Sequence, residues 1–155
     1  MASTISSATL TVTLTEAISL NGTAQGATNI KTVTSINEIS KRILTITTTE
    51  ATIATFSIAV GQGTYIAANV RYIRFTNKDD TNFIMLTFKD EDNTESRFKL
   101  DAGQSFIYNG DNAGGLVDTM KANGSALASG LADLYDITAD ADTASCDLEM
   151  LIASV

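Results

Sequence analysis

The sequence predicts an all-β protein, an antiparallel β-sandwich or jelly roll in a single domain spanning 1–155. Three observations carry that prediction. Thr, Val and Ile are abundant and fall in period-two alternation, which suits pleated, half-buried strands. About eight or nine short apolar runs recur roughly every 8–14 residues, separated by turn signals. No stretch makes a convincing amphipathic helix, so neither an α/β nor a helical-bundle pattern emerges.

Each element follows from its residues. In "TLTVTLT" (9–15), Leu10, Val12 and Leu14 share one face and the threonines the other. Asn21-Gly22 then marks a turn. In "IKTVTSINEISKRILTITTT" (30–49), Val33 between threonines is strand-like, whereas Ile36, Ile39 and Ile43 with "NEISKR" allow one short helical turn or a strand crossing, and an irregular crossing into the strand "RILTITTT" is preferred. "ATIATFSIAV" places Ala54, Phe56, Ile58 and Val60 on one face, opposite Ile53, Thr55 and Ser57. Further on, Phe98 and Leu100 oppose Arg97 and Lys99, "DAG" turns the chain, and Phe106 and Tyr108 share the next strand's face. Residues 111–132 are rich in Gly, Ala, Ser and Asn and read as a loop or short-helix excursion before the last strands. Tyr135, Ile137, Ala139 and Ala141 then alternate with polar residues, and Leu148, Met150 and Ile152 define a final strand running to the C-terminus.

The segment "VRYIRFTNKDDTNFIMLTFKD" (70–90) is unlike the rest. It reads as two strands joined by a charged turn, but with apolar residues on both faces. Ile73 and Phe75 share a face with Arg71, and Val70 and Tyr72 share the other with Arg74. Ile84, Leu86 and Phe88 make one face, with Phe83 and Met85 opposite. A sheet open to solvent alternates apolar-in and polar-out. The second face here must therefore be covered, either by the 111–132 excursion or by another subunit. In the latter case Tyr72, Phe83 and Met85 are the apolar anchors of the interface, with Arg71 and Arg74 as orienting cations, since Tyr and Arg are enriched at interface hot spots.

Composition narrows the chemistry. A chain of 155 residues can bury a real core. There is no His, which removes Ser-His and Cys-His catalysis and imidazole metal sites. There is no Pro or Trp, and a net charge of −8 opposes nucleic-acid and anionic-membrane partners. The lone cysteine, Cys146, can form no intramolecular disulfide and reads as a small buried hydrophobe. No signal peptide and no run of apolar residues long enough for a membrane span is recognisable.

Candidate sites are few. "GQG" (61–63) lacks the Lys-Ser/Thr ending of a phosphate loop. Asp90, Asp92 and Thr94 begin like a calcium loop, but Glu95 stands where that loop needs Gly. A surface calcium site on Asp90, Glu91 and Asp92, or on Asp79 and Asp80, competes with the simpler reading of solvated acidic turns that discourage edge pairing. Asp136, Asp140 and Asp142 share a strand face and repel one another unless solvated or metal-bound. The solvent-facing reading is preferred, with no cofactor, no metal and no catalytic residue expected.

"VRYIRFTNKDD" (70–80) and "LDAGQSF" (100–106) carry a further indication. With the strands around them, over roughly residues 10–110, the sequence resembles small virion structural proteins of marine and cyanobacterial tailed phages, of the capsid decoration (cement) or tail-associated kind. The resemblance implies a non-enzymatic β-sandwich located in the virion. Such a protein works as a homo-oligomer or by binding the major capsid protein or another virion component, and it brings no active-site residues. The alternatives are a tail, neck or fibre-associated component and a carbohydrate- or receptor-binding sandwich.

Overall fold

The computed structural model describes residues 4–59, 61–90, 95–109 and 134–155. The described residues are almost entirely β. The strands are β1 (Ala8–Thr15), β2 (Ser19–Leu20), β3 (Thr23–Ala24), β4 (Thr28–Ile36), β5 (Glu38–Ile46), β6 (Ala51–Ser57) and β7 (Thr64–Ile66). One 3-10 turn (Ala67–Asn69) leads into β8 (Val70–Asn77), β9 (Ile84–Asp90), β10 (Glu95–Leu100), β11 (Ser105–Asn109), β12 (Leu134–Ala141) and β13 (Cys146–Ser154).

Two sheets form the body. One runs β10-β9-β12-β6-β7 and the other β11-β8-β13-β5. All pairings are antiparallel except the short β6–β7 ladder. Apart from β6–β7 and β9–β10, successive body strands alternate between the sheets, so β5-β13-β8-β11 faces β6-β12-β9-β10. That is the two-Greek-key connectivity of a jelly roll, the architecture the strand spacing predicts.

The core lies between the sheets. Ile73, Phe75, Leu148, Met150 and Ile152 come from one side and Ile84, Leu86, Phe88, Ile137 and Ala139 from the other, all essentially inaccessible to water. Each large side chain so buried contributes about 1.5–3 kcal/mol. Phe88, Phe98 and Phe106 close the β10/β11 edge, with ring centroids 5.1–5.4 Å apart. The alternation of the last strand, and of Ile84, Leu86 and Phe88, thus reports the core face correctly.

Four expectations are corrected. The "NEISKR" segment is no irregular crossing but most of the regular strand β5, paired with β13 along its length. The irregularity sits one step earlier, at Ser35, which adopts a left-handed φ of 63°. Residues 70–90 are not a hairpin, because β8 and β9 belong to opposite sheets and the charged turn carries the chain between them. Val70 and Tyr72 do not share a face. The β8–β13 register slips between Ala153 and Ser154, turning Val70 into the main core while Tyr72 faces outward. Finally, Ile58 and Tyr135 are exposed: β6 stops at Ser57, and a register slip beside Tyr135 gives the inner position to Leu134. Residues 111–132 lie outside the described residues.

Before the body comes an arm. β1 and β4 pair antiparallel, and β2 and β3 continue the ribbon to its tip. The tip turns at Asn21-Gly22, both with positive φ (50° and 80°), as a two-residue type I′ turn requires. Leu10, Val12, Val33 and Ile36 at the base of the arm pack on Tyr72, Leu151, Ala153 and Val155. Beyond that base, every residue from Thr13 to Ile30 is exposed.

Candidate functional site

The two outer faces of the sandwich differ in chemistry, and the difference locates the candidate site. On the five-stranded sheet, cross-strand neighbours form rows: Glu95–Lys89–Asp136 and Lys99–Met85–Asp140, with Arg97–Thr87–Thr138 between them. Opposite charges alternate across these rows. Lys89 pairs with Glu50 (3.3 Å) and Glu95 (3.1 Å), Arg97 with Asp140 (2.7 Å), and Thr138 donates a hydrogen bond to Glu50. That hydrogen bond leads the causes that hold Glu50 below the usual carboxylate range, and its two carboxylate partners raise Lys89. Asp136 is the discordant member. Its Oδ1 is buried without a hydrogen-bond partner, and burial pushes its carboxyl up. Each pair is weak by itself, yet together they form an ionic network that is costly to cover.

Phe83 and Met85 belong to this charged face. Phe83 sits just before β9, half-buried, with the Lys99 ammonium 4.6 Å above its ring. Met85 is half-buried between Lys99 and Asp140.

Tyr72, Arg71 and Arg74 lie on the other sheet. Tyr72 is 5% exposed because the base of the arm covers it, and this desolvation raises its phenol above the ordinary value. The chain's own N-terminal ribbon, rather than a neighbour, therefore covers Tyr72. Arg71 turns back to the 3-10 turn and donates to the Ala68 (2.7 Å) and Val70 (3.2 Å) carbonyls. Arg74 pairs with Glu149 and donates to Thr76; the Arg74 hydrogen bond is the main reason Glu149 titrates below the usual range. Lys41 joins the pair at 3.6 Å from Glu149. The five residues singled out in the sequence are thus split between two faces that point away from each other.

What sequence reasoning missed lies around this Arg74–Glu149–Lys41 centre. Across the outer face of the four-stranded sheet, register sets Ile39 beside Ala153 and Tyr72, Lys41 beside Leu151, Arg74 and Ile107, and Ile43 beside Glu149 and Thr76. The arm covers the first row near Tyr72 and leaves Ile39 (59% exposed), Ile43 (65%) and Ile107 (43%) open. The arm itself exposes Leu14, Ile18, Leu20 and Ile30. Large aliphatic side chains are thus concentrated on this face and on the arm, a pattern that marks interaction surfaces. The alternation of Ile39, Lys41 and Ile43 was the readable signal, obscured by the apparent helical spacing of Ile36, Ile39 and Ile43.

The remaining features offer little chemistry. An open cleft of about 560 Å³ lies between β5 and β6, lined largely by Thr and aliphatic residues. Among the described residues that line it, Arg42 is the single ionisable one and none carries an aromatic ring. Among the described residues, no three His, Cys, Asp or Glu side chains are placed to share a metal ion. Glu91 and Asp92 lie outside the described residues. Asp79 has a structural role: its Oδ1 accepts the Thr81 (2.8 Å) and Asn82 (2.6 Å) backbone N–H groups, and these bonds lower its pKa. Asp140 is ion-paired and Asp142 is exposed. Cys146 is buried, donates to the Ala144 carbonyl at 3.4 Å, and is pushed up chiefly by desolvation.

No known protein family matches the sequence, and no curated protein does. Among solved structures, the chain is similar to one from Bacillus endospore appendages, described as a novel family of disulfide-linked pili. The TM-score is 0.46 and the identity 12%, over 76% of this chain and 82% of that one. That likeness is too low to bear on function.

Proposed function

We propose that this chain is a non-enzymatic structural protein of a phage virion, a capsid decoration or cement protein that binds the shell and stabilises the seams between its subunits. The observation that supports an assembly role is the arm: a ribbon exposed from Thr13 to Ile30 that carries four large aliphatic side chains into water. An isolated two-stranded ribbon is marginal in water and gains stability from a third layer. The virion setting comes from the resemblance of "VRYIRFTNKDD" and "LDAGQSF" to phage structural proteins. The absence of His and the inert lining of the cleft favour binding over catalysis.

The mechanism is mass action. A protein that binds the assembled shell but not its dispersed subunits stabilises the shell by RT ln(1 + [L]/Kd) per site, a gain that grows with the logarithm of its free concentration above Kd. The test is quantitative mass spectrometry of purified particles, with rebinding to emptied shells. Decoration requires on the order of hundreds of copies per particle, in keeping with a multi-subunit symmetric shell, and saturable rebinding. A small copy number fixed by tail symmetry overturns it and assigns the chain to the tail, neck or fibre.

A further inference from the structure

We infer that the distal arm of one copy, Thr13 to Ile30, docks head to tail on the outer face of the four-stranded sheet of a second copy, around Ile39, Ile43 and Ile107. This deepens the assembly reading above by naming the partner surface, and rests on that reading only in requiring self-association.

Three observations converge on this occupant. The first is continuity. That sheet face already accepts this ribbon's chemistry within one chain, where Leu10, Val12, Val33 and Ile36 pack on Tyr72, Leu151 and Ala153. The base covers only the end of the face nearest Tyr72. A neighbour's ribbon laid beside it extends the same layer over Ile39, Ile43 and Ile107, which are otherwise in water. Its threonine hydroxyls can meet the Arg74–Glu149–Lys41 centre without stranding it, since those groups already satisfy one another.

The second is charge. The chain carries −8, so two copies repel on average. Residues 4–36 hold one acid, Glu16, and one base, Lys31, a net charge of zero. The receiving face pairs two cations, Lys41 and Arg74, with Glu149, and Asp147 lies one row beyond, accepting a hydrogen bond from Thr45 at 3.1 Å. A neutral arm on a face whose charges balance lets acidic bodies meet without placing like charges together.

The third is exclusion. The other outer face carries a larger network, Lys89, Glu50, Glu95, Arg97 and Asp140, beside the unpartnered Asp136 Oδ1, so the same ribbon would desolvate more charge there than its hydroxyls could compensate. The contact is heterologous: arm and face are different patches, so each copy has one of each and assembly closes into a ring or grows as a chain.

The test uses the full chain in sedimentation-velocity experiments. Leu14→Asp with Ile30→Asp defines an arm-defective variant and Ile43→Asp a face-defective one. All three positions are exposed, so the melting transition of the body should be retained. If either variant melts early, the Thr substitutions at the same positions replace it, since Thr keeps the strand preference. Each variant should lower the association constant at least about tenfold. A mixture of the two retains one intact arm and one intact face, so it should yield a one-to-one dimer that grows no further. Wild-type protein that stays monomeric on the order of 100 μM overturns the inference. So do variants that assemble like wild type, or a mixture that forms no dimer. Shell rebinding, scored on the same samples, separates the two proposals. A chain that self-associates but ignores shells sinks decoration alone, and one that binds shells as a monomer without arm contacts sinks the arm contact alone.

Discussion

Asn77 shows how one buried amide can fix the geometry of several strands. It is fully buried at the end of β8. Its Nδ2 donates to the Asn82 carbonyl (2.8 Å) and the Leu100 carbonyl (3.0 Å), and its Oδ1 accepts the Asp79 N–H (3.0 Å). One side chain thus ties the end of β8 to the turn that crosses between the sheets and to the end of β10. Asn77→Ala removes all three bonds and leaves two carbonyls and an N–H to find water in a tight site. The expected loss is about 2–4 kcal/mol, read as a lower urea midpoint at unchanged m-value. Asn77→Asp should be at least as damaging, because a carboxylate cannot donate to either carbonyl. A loss below about 1 kcal/mol would show that the turn holds without the amide. Nothing in the local sequence announces this role, since "TNKDD" reads simply as a charged turn and the Leu100 partner lies far along the chain.

At the scale of elements, the arm and the body answer to different physics. The body is held by a continuous core, whereas among the described residues the distal ribbon rests on its own ladder and its tip turn. Gly26 tests that separation. A Cβ there would lie 2.0 Å from the Glu16 carbonyl oxygen, a backbone atom that cannot swing aside, just where Glu16 N–H bonds to the Ala27 carbonyl. Gly26→Ala should therefore distort the ribbon near its tip and weaken self-association, while the melting free energy of the body changes by no more than about 0.5 kcal/mol. Paired calorimetry and sedimentation measure both, and a large drop in body stability would show that arm and sandwich unfold as one unit. Which of these elements can be read from sequence follows from the range of the interactions. Alternation within a strand is local, so the inner faces of β9 and β13 and the Asn21-Gly22 turn are legible. Assignment of β8 and β9 to opposite sheets is not, because period-two patterning gives a face but never a sheet. The surplus apolar residue at Tyr72 is likewise legible as a demand for cover, but its cover comes from Val33 and Ile36, which no spacing rule connects to it. Ile58 and Tyr135 mislead because a strand end and a register slip break the period just where each one sits.

For the whole molecule, the sign of the charge decides how assembly should respond to salt. Two bodies at −8 repel through solvent, and at low ionic strength that repulsion extends beyond the contact itself. The proposed contact places a neutral ribbon on a face with three charges already paired to one another, so little of its free energy comes from attraction between opposite charges across the interface. Screening then removes a cost and takes away almost no gain. Raising sodium chloride from about 0.02 M to about 0.5 M shortens the screening length from roughly 20 Å to roughly 4 Å. Over that range the association constant, measured by sedimentation equilibrium, should rise. Lowering the pH toward the isoelectric point near 4.3 should act in the same direction by discharging carboxylates. That second arm has a floor, because Glu50, Asp79 and Glu149 all titrate below their ordinary values in the folded chain. Each contributes stability that is present above its unfolded pKa and is lost as the pH falls through its folded one, so the fold itself weakens below the ordinary carboxylate range. An association constant that falls with salt at neutral pH would mean that opposite charges meet across the contact. The partner surface would then have to be sought on the ion-paired face that carries Phe83 and Met85, not on the one that carries Ile39 and Ile43.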